Sequence, residues 1–180
     1  RLRSRQTMTA EQLSSGKRIN RPSDDPMGSL KVSTFTTEKR NYEQFQRNMD
    51  AGTHLLNTSD NVLSEATNTL LRTKELAIQS LNSSLLPADR DGLANEVASL
   101  RDHIRSLANT RTNNRYIFGG FQSTTQPYDV ALGFVGDSNA TEYEVGQGQR
   151  VRVTTNGGEA FGDGTPNTVD VFNNLLQLEV

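Results

Sequence analysis

Two adjacent carboxylates, Asp24 and Asp25, are the first residues along the chain that could do chemistry. They sit in SSGKRINRPSDDP, residues 14–26, beside the cations Lys17, Arg18 and Arg21. A carboxylate pair can divide general acid and general base roles when its environment separates the two pKa values. The remaining acid–base candidates are His54 and His103, on different predicted helices and each next to apolar residues, where an imidazole is structural or solvated. GQGQ (146–149) and GDG (162–164) are too short for a phosphate-cradling loop or a calcium loop, which need more backbone donors or oxygen ligands. The 180 residues include no cysteine, so thiolate nucleophiles, thiolate metal sites and disulfides are excluded. Local structure explains Asp24 and Asp25 with less: carboxylates at a helix N-cap, followed by Pro26 in the first turn, complement the positive end of the helix dipole. No catalytic, cofactor-binding or metal-binding residue is therefore predicted, and the chain is not read as an enzyme.

The elements around this segment are helical. Residues 2–13 are rich in helix formers, Pro22 disfavours helix at Arg21, and a new helix begins at about Pro26. The segment reads as helix, bend, helix. From residue 35 an apolar residue recurs every seven positions: Phe35, Tyr42, Met49, Leu56, Leu63, Leu70 and Ala77. The complementary heptad position holds Lys39, Gln46, Thr53, Asp60, Thr67 and Lys74, so the pattern is half of a coiled-coil seam. A helix from about residue 26 to 79 follows, read through Gly52 at a cost of about 1 kcal/mol relative to alanine. SLNSSLLPADRDG (80–92) breaks it, with Pro87 opening a second helix and Ser84 a candidate cap upstream. Leu93, Val97, Leu100, Ile104 and Leu107 then recur at helical spacing, and the second helix is expected to fold back antiparallel on the first.

After residue 113 the pattern changes. RYIFGG is aromatic and β-branched, and residues 141–145 and 150–154 alternate around GQGQ, a hairpin signature. GGEAFGDGTPN reads as loop, and helical periodicity returns over 169–180. The expected architecture is α+β: an elongated rod of long, antiparallel, coiled-coil-like helices with a small antiparallel β domain inserted. Residues 1–26 form a joint to a terminal helix; residues 27–115 form the helical rod, with 167–180 starting the returning helix; residues 116–166 form the β domain. An apolar content of one third and a mean hydropathy of −0.65 suit such a rod, which buries less of each residue than a sphere does. The net charge of −2 gives no global pull toward nucleic acid or anionic membrane, and no apolar run approaches the ~20 residues of a membrane-spanning helix. The cationic first 21 residues, with Glu11 their one acid, lack the interleaved aromatics of a nucleic-acid-binding arm.

Several of these segments match one family. LSSGKRINRPSDDP resembles the joint of flagellin-like axial proteins of the bacterial flagellum, and its RPSDDP ending resembles that of the hook–filament junction members. NMDAGTHLLNTSDNVLSEATNTLLRTKELAIQS is similar to the long helix shared by flagellins and junction proteins, and YIFGGFQSTTQPYD and TTNGGEAFGDG are junction-like. The resemblance implies a secreted structural subunit, exported unfolded by the flagellar type III apparatus. Its implied partners are the first hook-associated protein, flagellin, copies of itself in a ring, and an export chaperone. It also implies terminal helices beyond both ends of the chain, so that the fragment is expected to be monomeric. Ser15, Gly16, Arg18, Ile19, Asn20, Pro22, Asp24 and Asp25 are carried over as joint and inter-subunit contact candidates. The alternatives are a flagellin filament subunit or, from another class, a coiled-coil adhesin or binding module that dimerises through residues 35–77.

Overall fold

Asp25 and Pro26 start the longest element of the protein. The structure, a computed structural model, describes residues 2–82, 85–129, 133–163 and 170–178. Helix α1 spans Leu2–Ser15, α2 Pro26–Ser80 and α3 Pro87–Ala108. Six short strands follow: β1 (Arg111–Thr112), β2 (Arg115–Tyr116), β3 (Tyr128–Asp129), β4 (Gly133–Phe134), β5 (Glu142–Gly146) and β6 (Gln149–Arg152). Helices α4 (Gly157–Phe161) and α5 (Val171–Leu178) complete the described chain. The class is α+β, and the strands pair as three separate two-stranded antiparallel ribbons. The chain divides into two compact units, residues 1–47 and 48–180. That division differs from the expected boundaries, because residues 48–115 share one unit with the β region.

In the second unit α3 runs antiparallel to α2, as expected. Glu65 meets His103 at 3.1 Å and Arg72 meets Glu96 at 2.8 Å, so seven residues forward on one helix match seven back on the other. Asp89 accepts the Leu86 N–H at 3.3 Å ahead of Pro87, while the candidate cap Ser84 lies outside the described residues. On α3, Val97 and Ile104 are buried and Leu93, Leu100 and Leu107 are half-buried, as their periodicity predicts.

The buried stripe of α2 is not the one traced by its large apolar residues. Phe35, Tyr42, Met49 and Leu56 are 65, 72, 45 and 43 % exposed, and Leu63, Leu70 and Ala77 are half-buried. The residues that are buried are Gly52, Ser59, Val62, Ala66, Thr69, Thr73 and Leu76. They too follow a heptad, but five of the seven are small or polar, so a count of greasy residues passes over them. Gly52 has a specific reason to be glycine: a Cβ there would lie 2.8 Å from Val153 Cγ1, where the β5–β6 ribbon crosses the helix. Thr69 and Thr73 tolerate burial because their hydroxyls donate to the carbonyls of Glu65 (2.9 Å) and Thr69 (3.0 Å).

Ser59 has no such outlet. Its Oγ is buried without a hydrogen-bond partner among the described residues. Leaving a buried hydroxyl unpaired costs about 1–3 kcal/mol, and alanine is the better helix former. Ser59→Ala is therefore expected to raise the unfolding free energy by about 1 kcal/mol, read as a higher urea midpoint at unchanged slope. A lowered midpoint would mean that the hydroxyl is satisfied.

The core gathers Val62 and Ala66 of α2, Ile104 and Ala108 of α3, Ile117, Phe118, Tyr128, Phe161 and Leu175. Phe118 and Phe161 meet edge to face at 5.2 Å, and Tyr128 contacts Phe161 and Phe172. GGEAF, expected as loop, is the helix α4. Asn156 caps it by accepting the Glu159 N–H at 2.9 Å, and buried Phe161 anchors it. Helix α5 is capped by Asp170, which accepts the Asn173 N–H at 2.9 Å. The ends of the expected 169–180 helix, like residues 164–167 of the expected loop, lie outside the described residues.

The expected hairpin is present, with Glu142 opposite Arg152 and Glu144 opposite Arg150. A second hairpin joins β1 to β2 through Asn113 and Asn114, both at positive φ (51° and 63°). That is the backbone a two-residue primed turn demands, and asparagine tolerates it better than most residues.

Candidate functional site: the joint between two helices

The joint is built from short polar contacts within the first unit. Gly16 follows α1 at φ 65°, the left-handed conformation that ends helices. Ser15 Oγ accepts the Lys17 N–H at 3.2 Å, and Gln12 Nε2 donates to the Arg18 carbonyl at 2.8 Å. These bonds fold the exit strand back against the last turns of α1. Across the bend, Arg21 pairs with Glu11 at 3.0 Å.

Asp24 and Asp25 have different tasks. Asp24 Oδ2 accepts the N–H groups of Arg21 (2.9 Å) and Asn20 (3.3 Å), closing a turn in which the Asp24 N–H also donates to the Arg21 carbonyl at 3.0 Å. Asp25 is the N-cap of α2: its Oδ1 accepts the Gly28 N–H at 2.9 Å, and its Oδ2 meets Arg18 at 2.9 Å. Ile19 lies over that first turn, since a Cβ on Gly28 would come within 2.6 Å of Ile19 Cδ1. Of the predicted joint residues, Ile19, Asp24 and Asp25 are half-buried, and Ser15, Gly16, Arg18, Asn20 and Pro22 are exposed. Two further members come from α1, Glu11 and Gln12. Glu11 is the sole acid among the first 21 residues, and its partner is set by the geometry of the bend.

The Gly28 N–H, and then Arg18, hold the Asp25 carboxyl below the usual carboxylate range. Asp137, in the second unit, behaves similarly for another reason. Desolvation pushes it up, but the N–H groups of Phe121 and Asn139, among others, bring it down further. Both groups have folded-state pKa values below their unfolded values. Their contribution to stability is complete above pH ~4 and is lost as pH falls through the lowered values. In a carbon-detected NMR titration, both carboxyls are expected to protonate at lower pH than an exposed aspartate. Titration coincident with that of an aspartate in a short unstructured peptide would remove these hydrogen bonds from the account.

The histidines serve elsewhere: His103 Nε2 meets Glu65, and His54 borders a cavity in the second unit. The described residues hold no group of three or more His, Asp or Glu side chains with metal-site geometry.

The first unit thus holds a helix closed by a tight, charge-clasped bend, and the long helix that starts there carries exposed apolar residues. The model of the bacterial flagellin N-terminal helical region matches residues 3–123, and the chain belongs to that family. Within it, the chain is 30 % identical over 161 residues to flagellar hook-associated protein 3 of Escherichia coli K12, covering 88 % of this chain and 51 % of that protein. The crystal structure of the flagellar junction protein FlgL from Legionella pneumophila is similar, with a TM-score of 0.61 and 33 % identity, over 76 % of this chain and 42 % of that one. Flagellin B of Vibrio anguillarum is 32 % identical over 113 residues, 62 % of this chain and 30 % of that protein. The chain spans about half the length of the curated hook-associated relatives it matches.

Proposed function

We propose that the chain is part of a structural subunit of the bacterial flagellum that joins the hook to the filament. The observation that carries this reading is the extent of the similarity. The flagellin match spans 113 residues, whereas the match to the Escherichia coli hook-associated relative spans 161, enough to include much of the region after α3. That region holds the ribbons and the Phe118–Phe161 core.

In this reading the first hook-associated protein, flagellin and further copies of the chain are its neighbours, and an export chaperone holds it before secretion. The exposed joint residues Ser15, Gly16, Arg18, Asn20 and Pro22 contact those neighbours, while Ile19, Asp24 and Asp25 fix the bend. Large apolar side chains left open on α2, among them Met27, Leu30, Phe35 and Tyr42, supply the apolar part of the contact. An assembly subunit needs such surfaces, because association is driven by apolar area removed from water. Among the described residues no helix is long and apolar enough to cross a membrane.

Immunogold labelling of isolated flagella with an antibody against the chain tests the placement. A single band of label where hook meets filament is the expected result. Label along the whole filament would favour the flagellin alternative, and no label on flagella would reject both.

A further inference from the structure

A cavity of about 170 Å³ opens in the second unit where four parts of the fold converge. Helix α2 supplies His54, the β1–β2 hairpin supplies Asn113, Arg115 and Tyr116, the turn at Gly120 closes one end, and β5 supplies Tyr143. Its chemistry is one-sided. The wall holds a guanidinium, an imidazole, an amide and two phenols, with threonine hydroxyls between them, and no carboxylate. Glu142 and Glu144 flank Tyr143 in sequence, but alternation along β5 places them on the opposite face. There they stand opposite Arg152 and Arg150.

The donors are also uncommitted. The side chains of His54, Arg115, Tyr116 and Tyr143 make no hydrogen bond or ion pair among the described residues. By contrast, Arg18, Arg21, Arg72, Arg105 and Arg152 each meet a carboxylate within the chain. Behind the wall, the Arg111 guanidinium lies 4.8 Å from the Tyr116 ring centroid and adds positive charge without occupying the space. A concave site lined by a guanidinium and several neutral hydrogen-bonding side chains, with no carboxylate on its wall, matches a bound anion, and a guanidinium fork suits a carboxylate. The volume is below the ~300–1,000 Å³ of pockets for drug-sized ligands. It suits a group the size of one acidic side chain.

We infer that this cavity is a carboxylate-binding site, with Arg115 as its charged anchor and Tyr116, Tyr143 and His54 as its walls. The carboxylate comes either from an acidic side chain of a neighbouring protein or from a free small acid. The site is independent of the flagellar reading, because it rests only on the lining of the cavity.

Amide NMR of the 180-residue chain separates the possibilities. The probes are glutarate, its neutral counterpart glutaramide, and the capped peptides acetyl-Gly-Glu-Gly-amide and acetyl-Gly-Gln-Gly-amide. Glutarate is expected to move the amides of His54, Asn113, Arg115, Tyr116 and Tyr143, with a Kd on the order of 1–10 mM, and glutaramide is not. Arg115→Met should weaken glutarate binding by about tenfold or more, and Arg115→Lys, which keeps the charge but loses the planar fork, by an intermediate amount. Arg115 is exposed, so both variants should keep the parent circular dichroism and melt. If the Glu peptide moves the same amides and the Gln peptide does not, a protein side chain is the source. If glutarate alone binds, the source is a small acid. Equal shifts with glutaramide, unchanged affinity in Arg115→Met, or no shift up to ~50 mM glutarate would overturn the assignment.

Discussion

Replacing Phe118 by alanine should lower the unfolding free energy by about 3–5 kcal/mol, the range for truncating a buried aromatic. Phe118 is fully buried and meets Phe161 edge to face at 5.2 Å. Its carbonyl accepts the Gly157 N–H at 2.8 Å, so the same residue fixes the start of α4. Truncation leaves a cavity in the core that Phe118 shares with Ile104 and Ala108 of α3. Urea unfolding followed by far-ultraviolet circular dichroism measures the loss. Proton shifts of Phe161 and Tyr128 should also collapse toward random-coil values before the α2 signals do. A loss below about 1 kcal/mol would mean that the β region does not depend on this core.

The second large effect is expected at Gly120. This residue has φ 65°, and a Cβ there would lie 2.7 Å from the Asp137 carbonyl oxygen. The turn is held by that same aspartate, whose carboxylate accepts the Phe121 N–H at 3.0 Å. Gly120→Val combines left-handed strain in a β-branched residue with a backbone clash, and should cost about 2–3 kcal/mol. Because Gly120 also borders the cavity, the variant should perturb the amides of Tyr116 and Ser123 more than those of α5. A melt within about 0.5 kcal/mol of the parent would show that the turn can rearrange freely.

Much of this architecture was legible in the residues, for identifiable reasons. The start of α2 was marked by Asp25-Pro26, and the α3 core face by Val97 and Ile104. The β5–β6 hairpin was marked by alternation around a glycine-rich turn. These signals are local and redundant. What escaped was written in weaker signs. Helix α4 hides in Gly157-Gly158-Glu159-Ala160-Phe161, where glycines suggest a loop; the cap at Asn156 and the burial of Phe161 outweigh their propensity. The buried stripe of α2 escaped because Gly52, Ser59, Ala66 and Thr73 are small or polar and carry little hydrophobic signal. The large residues Phe35 and Tyr42 drew the eye to a face that the chain itself leaves open. In the joint, the bend and the capping were readable from sequence. The Arg21–Glu11 pair was not, because it links residues ten apart across a turn whose geometry no periodicity encodes.

The joint also illustrates why exposed charge can matter little to stability and still define a shape. Arg18–Asp25 and Arg21–Glu11 are largely solvent-exposed, and such pairs are weak and salt-screened. They link the two sides of the bend, while Ile19 lies over the first turn of α2 and Asp25 caps it.

The measurement that tests the central claim most directly is deletion of the gene in the bacterium that carries it, with flagella and culture medium assayed together. A junction subunit predicts intact hooks, no attached filaments, and flagellin released into the medium as monomer, all reversed by the full-length gene on a plasmid. Filaments of normal length on the deletion strain, or a medium without flagellin, would contradict the account.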